Sequence, residues 1–563
     1  MKLYKLCAAA AAGIMVFSSC NDLLEKKPLV TLAVENYYTT EEEAETALMG
    51  IYHVFMTENF GLYHYLHIGD NMSDDSQLGN SRSDGVAWAG NAKSLVQFNI
   101  LPTNSYSGRN TWNQDFQVIT NANYLIENVQ KNNIPNADKY VAEAKFLRSY
   151  VYFDMTRQFG GLPLVDHILS YEEYYTPRST EEETWQFVEQ GFIDAAAGLP
   201  ETWDAANTGR ATKGAALAML ARTYIYHASF NNSTETWQKA YDTIKQVEQG
   251  GWYSLEPNYA DIFDMEHQNG REIIFSIQFR TSHTGWGDSN DGNMLAFYGH
   301  DAGIKTADLN KSTTTFSDEL YEFVYNKMLE EFPTNINDDG TPKPYQKKWT
   351  GWSLHCPTLD LVNAFEEGDP RLKATVIAPN EYYDGHTHFN LSSDSGYQSK
   401  KEYVPFSYRT EESNEDDLCR NFIILRYGNL MLYMAEACCQ LGKTGEALEY
   451  LEMVRSRARN SADDPNVLPK VTVTDKTALL EAIYHERRVE LGMEYDRYWD
   501  LARTGRAGKV MKAYYAKYGD DNSHQNKGKN FIEGTHEHMP IPQQAIEASI
   551  YNGVQTLEQN PGY

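Results

Sequence analysis

The chain has 563 residues, 41% hydrophobic and 23% charged, proportions of a globular protein and not of a disordered, collagenous or polytopic one. Against 49 Lys and Arg stand 78 Asp and Glu, a formal charge of −29, which argues against a nucleic-acid partner because phosphate binding needs a basic stripe. The same balance is wrong for a polybasic membrane-surface protein, and the unusual component is aromatic: 39 Tyr, 23 Phe and 10 Trp.

Residues 1–19 read as an export leader. Lys2 and Lys5 precede an apolar run from Leu6 to Phe17, too short to span a bilayer core of about 30 Å. Ser18 and Ser19 then lead into Cys20, an order that resembles a bacterial lipoprotein signal, with Phe17 where an aliphatic residue is usual. Cys20 is therefore the predicted lipidation site; without acylation the same leader would serve ordinary secretion. More than one acyl chain suffices for stable anchoring where a single chain does not.

A polar tether over 21–28 is followed by a helix starting at Thr39 or Thr40, with Glu43 placed for a capping box and Ala44, Ala47, Leu48, Ile51 and Phe55 on its apolar face. Residues 60–110 read as loop, rich in Gly, Asn, Ser and Asp, with Trp88 inside; so long an irregular stretch is usually functional. Helical periodicity occupies 112–131 and 138–159. Lys213–Phe230 carries Ala215, Ala216, Ala218 and Ala221, which predicts a central, closely packed helix with 237–249 as its antiparallel partner. Residues 272–279 read as the one clear strand, and 280–420 as mostly irregular. Residues 422–441 and 444–458 make a helical hairpin across Gly442 that resembles a tetratricopeptide repeat, and 475–503 adds a helix or pair. Adjacent Cys438 and Cys439 lie in a helical pattern, about 100° apart, and read as two small buried side chains.

Several stretches resemble the SusD/RagB family of outer-membrane nutrient-binding lipoproteins. They are AEAKFLRSYVYFDMTRQFGGLPLV (142–165), ILRYGNLMLYMAEA (424–437), ERRVELGMEYDRYWDLARTG (486–505), MPIPQQAI (539–546) and the closing QNPGY (559–563), with shorter echoes in REIIFSI (271–277) and DPRL (369–372). The resemblance runs from Cys20 to Tyr563. It implies a mainly α fold: a tetratricopeptide-like helical-hairpin scaffold with an irregular, loop-rich C-terminal subdomain carrying a few short strands. The expected organisation is a leader (1–19), an N-terminal helical region (20–250) and a C-terminal region (251–563) with insertions at 280–420 and helical scaffold at 421–505. It further implies a lipid-tethered protein at the outer membrane, facing the exterior. There it would capture oligosaccharides, or peptides in the RagB branch, as a hinged lid over a SusC-like TonB-dependent transporter. Neither catalysis nor a cofactor is implied.

Sugar binding needs Trp or Tyr faces for pyranose C–H groups and planar polar side chains for the hydroxyl rim. Two loop regions supply these: Asn71, Asp74, Asp75, Arg82 and Trp88 in the first, and Trp286, Tyr298, Trp349 and Trp352 in the second. Trp112, Trp185, Trp237 and Trp499 sit in helical patterns and belong to the core. Arg148 and Arg157 read as partners of carboxylates between helices, and the charges from Glu486 to Arg503 as a scaffold network. Gly442-Lys443-Thr444 lacks the earlier glycine of a phosphate loop. Asn335, Asn337, Asp339 and Gly340 copy half a calcium loop, but Gln346 stands where a bidentate Glu belongs. The pairs His386/His388 and His536/His538 have no apparent third ligand. A glycoside hydrolase or a protein-binding scaffold are the remaining alternatives.

Overall fold

A computed structural model describes residues 37–56, 62–79, 87–280, 296, 308–312, 314, 317–343, 351–390, 393, 395–409, 418–519 and 525–563, with only the backbone of 87–89. Cys20, Arg82, Trp286, Tyr298 and Trp349 lie outside the described residues, as does the side chain of Trp88.

Thr40 starts helix α1 (Glu41–Val54) through the expected capping box: its hydroxyl accepts from the Glu43 amide, and the Glu43 carboxylate accepts from the Thr40 amide. Two amides without helical partners are satisfied, and Ala44, Leu48, Ile51 and Phe55 face the core. A turn at Leu62–His64 runs into a π-helical stretch, Tyr65–Asn71, and α2 spans Ala87–Val96. These correct the reading of 60–110 as loop. All seven residues of the π stretch are buried, and Gly69 backs onto Tyr495, where a Cβ would stand 2.2 Å from a main-chain oxygen. Packing, not local preference, imposes this rare geometry.

Helices α3 (Arg109–Lys131), α4 (Ala137–Phe159), α5 (Glu181–Gly198), α6 (Lys213–Asn231) and α7 (Thr234–Gly250) each pack on the next. α5 is additional to the helices read from periodicity and carries its own capping box, Thr180 with Glu183. α6 is buried from Gly214 to Ala228, because its small residues let α5 and α7 approach from both sides. Trp112, Trp185, Trp237 and Trp499 are all in the core, as their spacing predicted.

The chain leaves this stack after Gly250 and rejoins it at Tyr427. On the way it forms β1 (Ile273–Ile277), α8 (Asp318–Glu331) and several two-residue ladders, such as Tyr382–Tyr383 with His386–Thr387. β1 pairs antiparallel with β2 (Phe422–Arg426), Ile277 opposite Phe422. That corrects the hairpin's start: FIILR is strand, and helix begins only at Tyr427. A short apolar run fits either form locally, and a partner far upstream selects the strand. α9 (Tyr427–Gln440) then packs on α7 and resumes the stack, with α10 (Thr444–Asn460) as its hairpin partner. Gly442 makes the turn with φ +74°, and Cys438 and Cys439 are buried and unbridged. α11 (Lys476–Leu491), α12 (Arg497–Arg503) and α13 (Ala507–Tyr518) complete the described helical scaffold.

A buried charge network ties the C-terminal region to the stack. Arg371, Lys401, Arg426, Arg455 and Arg457 oppose Glu272, Asp369, Glu486, Glu490 and Glu494. Glu490 alone accepts from Arg426 at 2.7 Å, Arg457 at 2.5 Å and Arg371 at 3.1 Å. The charges read as scaffold are scaffold. Arg157 pairs with Asp154 and Asp496 as expected, but Arg148 does not find a carboxylate: it donates to the Asn123 side-chain oxygen and to the Asp166 main-chain oxygen. No helix among the described residues is long and apolar enough to cross a membrane.

Candidate functional site

The two loop regions singled out from the sequence meet. After the π-helical stretch the first region runs to Gly79, and its Ser76–Gln77 pairs antiparallel with Cys356–Pro357 of the second. The Gly79 amide donates to the Ser353 oxygen at 2.7 Å, and the Asn71 side chain donates to the Leu354 oxygen at 2.9 Å. A Cβ on Gly79 would lie 2.1 Å from the Ser353 oxygen, so only glycine allows this approach. Trp352, half-buried against the core, is the neighbour of the Ser353 that accepts from the Gly79 amide. α2, which carries Trp88, is seated beside the same junction: Ala92 and Val96 pack on Leu78 and Tyr106.

The junction rests on buried charges. Asp74 accepts from Arg497 at 2.9 Å and pairs with Arg488 at 2.8 Å, and Asp75 accepts from Arg488 at 2.6 Å. Lys527 donates to the main-chain oxygens of Ser73 and Ser76, and Gln525 donates to that of Leu78. His355 bridges Asp70 and Glu402 at 2.9 and 2.7 Å. Burial alone would push the His355 pKa down; Glu402 and Asp70 outweigh it and lift it to about 9, so the imidazole is charged at neutral pH. Nearby His67 is driven down to about 3, first by burial and then by that charge. Burial takes Lys527 down to about 7 against the pull of Asp74 and Asp75, and lifts Asp75 to about 6 in spite of its arginines. Among the described residues no group of three or more His, Cys, Asp or Glu is placed to hold a metal.

This placement changes the reading of two predicted ligand residues. Asn71 and Asp74 are buried and committed internally: Asn71 bonds Leu354 and accepts from Ser76, and Asp74 is held by two arginines. Their side chains build the base of the loop, and a sugar hydroxyl would have to displace those bonds. Asp75 is equally enclosed. Sequence reasoning missed His355, Gln525 and Lys527 as supports, and took Arg488 and Arg497 for scaffold without their partners in the first loop. No spacing signal could have joined segments so far apart. Of the other look-alikes, Asn337 donates to Thr341 in a tight polar turn, His386 and His388 are buried with ring centroids 4.1 Å apart, and Gln346 lies outside the described residues.

A family model described as the SusD family matches residues 271–563, more than half of the chain. The chain belongs to that family. A second model, described as starch-binding associating with outer membrane, matches residues 53–225. Among curated SusD-family relatives, "SusD-like protein P25" of Formosa agariphila is 24% identical, over 95% of each chain. A "SusD-like protein" of Bacteroides ovatus is also 24% identical, over 87% of this chain and 81% of its own. A solved SusD homologue from Bacteroides thetaiotaomicron superposes with a TM-score of 0.74 at 22% identity, over 94% of this chain and 98% of its own. A "Laminarin binding SusD-like protein" gives 0.69 at 25% identity, over 93% and 100%. Surface glycan-binding protein A of Bacteroides thetaiotaomicron, solved with laminarihexaose, gives 0.67 at 20% identity, again over 93% and 100%.

Proposed function

We propose that this chain is a surface lipoprotein that captures oligosaccharides with aromatic residues on the loops meeting at the Gly79–Ser353 junction. The observation that carries this reading is the junction itself: two loop regions, the first rich in Gly, Asn, Ser and Asp and the second carrying several Trp and Tyr, meet at Gly79–Ser353 on a base locked by Arg488, Arg497 and Lys527. A rigid base holds ring faces in place before the ligand arrives, which lowers the ordering cost of binding. Trp352 and Trp88 are the proposed stacking residues, and Arg82, Trp286, Tyr298 and Trp349 are proposed as further ligand-binding residues. Membership in a family whose solved relatives include laminarin- and laminarihexaose-binding proteins supports the ligand class. In this reading the chain binds its glycan and does not cleave it; the described acids Asp70, Asp74 and Asp75 face histidine and arginine partners.

In this reading the leader 1–19 is removed, Cys20 is acylated, and the helical region 20–250 with the C-terminal region 251–563 sits over a TonB-dependent barrel as its lid. Affinity electrophoresis against soluble polysaccharides tests the capture. At least one should retard the protein, and Trp352→Ala or Trp88→Ala should abolish the retardation. Retardation by none, with peptides bound instead, would move the assignment to peptide uptake; release of reducing sugar by the purified protein would replace it with hydrolysis. Co-purification of a large outer-membrane barrel tests the partner, and Cys20→Ala should shift the protein to the soluble fraction.

A further inference from the structure

A cleft of about 810 Å³ opens in the C-terminal region, on elements other than those of the loop junction. Its walls come from the turn at 258–265, the 365–374 segment, the strand-like stretches around Tyr383 and 400–405, Arg420, and the turn after α10. That volume lies within the range of small-ligand sites.

The aromatic part of the cleft is held from behind. Tyr259 donates its hydroxyl to the Glu490 main-chain oxygen, so the charge network fixes one ring of the floor. Arg420 donates to the main-chain oxygens of Phe263 and Tyr403, joining two walls. Tyr403 donates to Asp384 at 2.8 Å and packs edge-on against Tyr383, with centroids 5.2 Å apart. Tyr383 is half-buried, and the Lys400 ammonium lies 4.2 Å from its ring centroid. A planar ring is thus presented to the cleft in one orientation. The cleft is also lined by Asp261, Asp264, Glu367, Asp463 and Asp464, against Lys373, Lys400 and Arg420.

We propose that this cleft is a second carbohydrate site, taking an uncharged oligosaccharide. A pyranose offers C–H groups for the Tyr383 ring and hydroxyls for the surrounding carboxylates and lysines. The excess of carboxylates repels uronic or sulfated sugars. The proposal rests on the loop reading for carbohydrate as the ligand class; the two sites share no residue.

Isothermal titration of the full chain with laminarihexaose, maltohexaose, cellohexaose, xylohexaose and a galacturonic-acid hexamer tests it. At least one neutral hexamer should bind at two sites per chain. Tyr383→Ala should weaken one of them about 10-fold or more and leave the other intact. Ala462→Trp, which puts an indole into the lining without removing a ring or charge, should have the same effect, and an unchanged melting curve shows that either variant is folded. Trp352→Ala should remove the other site and spare this one. A single site abolished by Trp352→Ala and untouched by Tyr383→Ala and Ala462→Trp would overturn the second site while leaving the loop reading intact. Binding of the acidic hexamer or of a lysine-rich peptide at the Tyr383-dependent site would overturn its ligand class. A wild type that binds none of the neutral hexamers would overturn both readings.

Discussion

Replacing Glu490 with Gln should destabilise the protein more than any surface change, because it removes charge from the centre of the buried network while preserving shape. Glu490 is fully buried and accepts from three guanidinium groups, those of Arg426, Arg457 and Arg371. The substitution leaves five cations facing four carboxylates and turns a donor toward donors. Removing one partner of such a buried pair costs about 3–5 kcal/mol. At about 2.1 cal/mol/K per residue, a chain of this size has an unfolding entropy of about 1.2 kcal/mol/K, so the melting temperature should fall by about 2.5–4 °C. Burial works against the Glu490 charge, but Arg457, Arg426 and Arg371 outweigh it and hold the carboxyl well below the usual range. Its stabilisation is thus present above the unfolded carboxylate pKa and disappears only in strong acid. The gap between wild type and Glu490→Gln should be widest above about pH 5 and close only in strong acid. Calorimetric melting across pH measures this, and pairing the variant with Arg457→Met, which restores charge parity, should recover at least about 1 kcal/mol relative to additivity. A melting change under 1 °C, or strict additivity of the two substitutions, would refute the view that the network clamps this region.

The junction yields further expectations. Gly79→Ala drives a Cβ into the Ser353 oxygen, so it should part the two loop regions and weaken polysaccharide retardation about 10-fold or more while changing the melting temperature little. Lys527→Met leaves the Ser73 and Ser76 oxygens without their ammonium donor; it should cost about 1–3 kcal/mol and speed hydrogen exchange of the amides at 73–79. The pKa of His355, about 9 in the fold against 6.5 when free, means that its stabilisation is complete below about pH 6.5 and lost as pH rises through 9. The stability difference between wild type and His355→Gln should therefore shrink by about 3 kcal/mol between pH 6 and pH 10, as read from urea midpoints. A difference that stays constant would show that the His355 imidazole is not charged in its bridge to Asp70 and Glu402.

What the amino-acid order alone determined were the features encoded within a few turns of chain. The Thr40–Glu43 cap, the small-residue helix α6, the hairpin across Gly442 and the core tryptophans are local or periodic, so they survive without knowledge of neighbours. The motifs of the family are local in the same sense. Tertiary contact decided the rest. Phe422–Arg426 became strand because β1 lay beside it, and Tyr65–Asn71 wound into a π-helix against Tyr495. Asn71 and Asp74 looked like ligand groups because their types suit hydroxyls. Their actual partners, Leu354, Arg488 and Arg497, are hundreds of residues away, and an unpaired buried carboxylate is too costly to leave facing a cleft. Composition announced that rings and carboxylates were plentiful; only the folded chain could say which of them were used up holding each other in place.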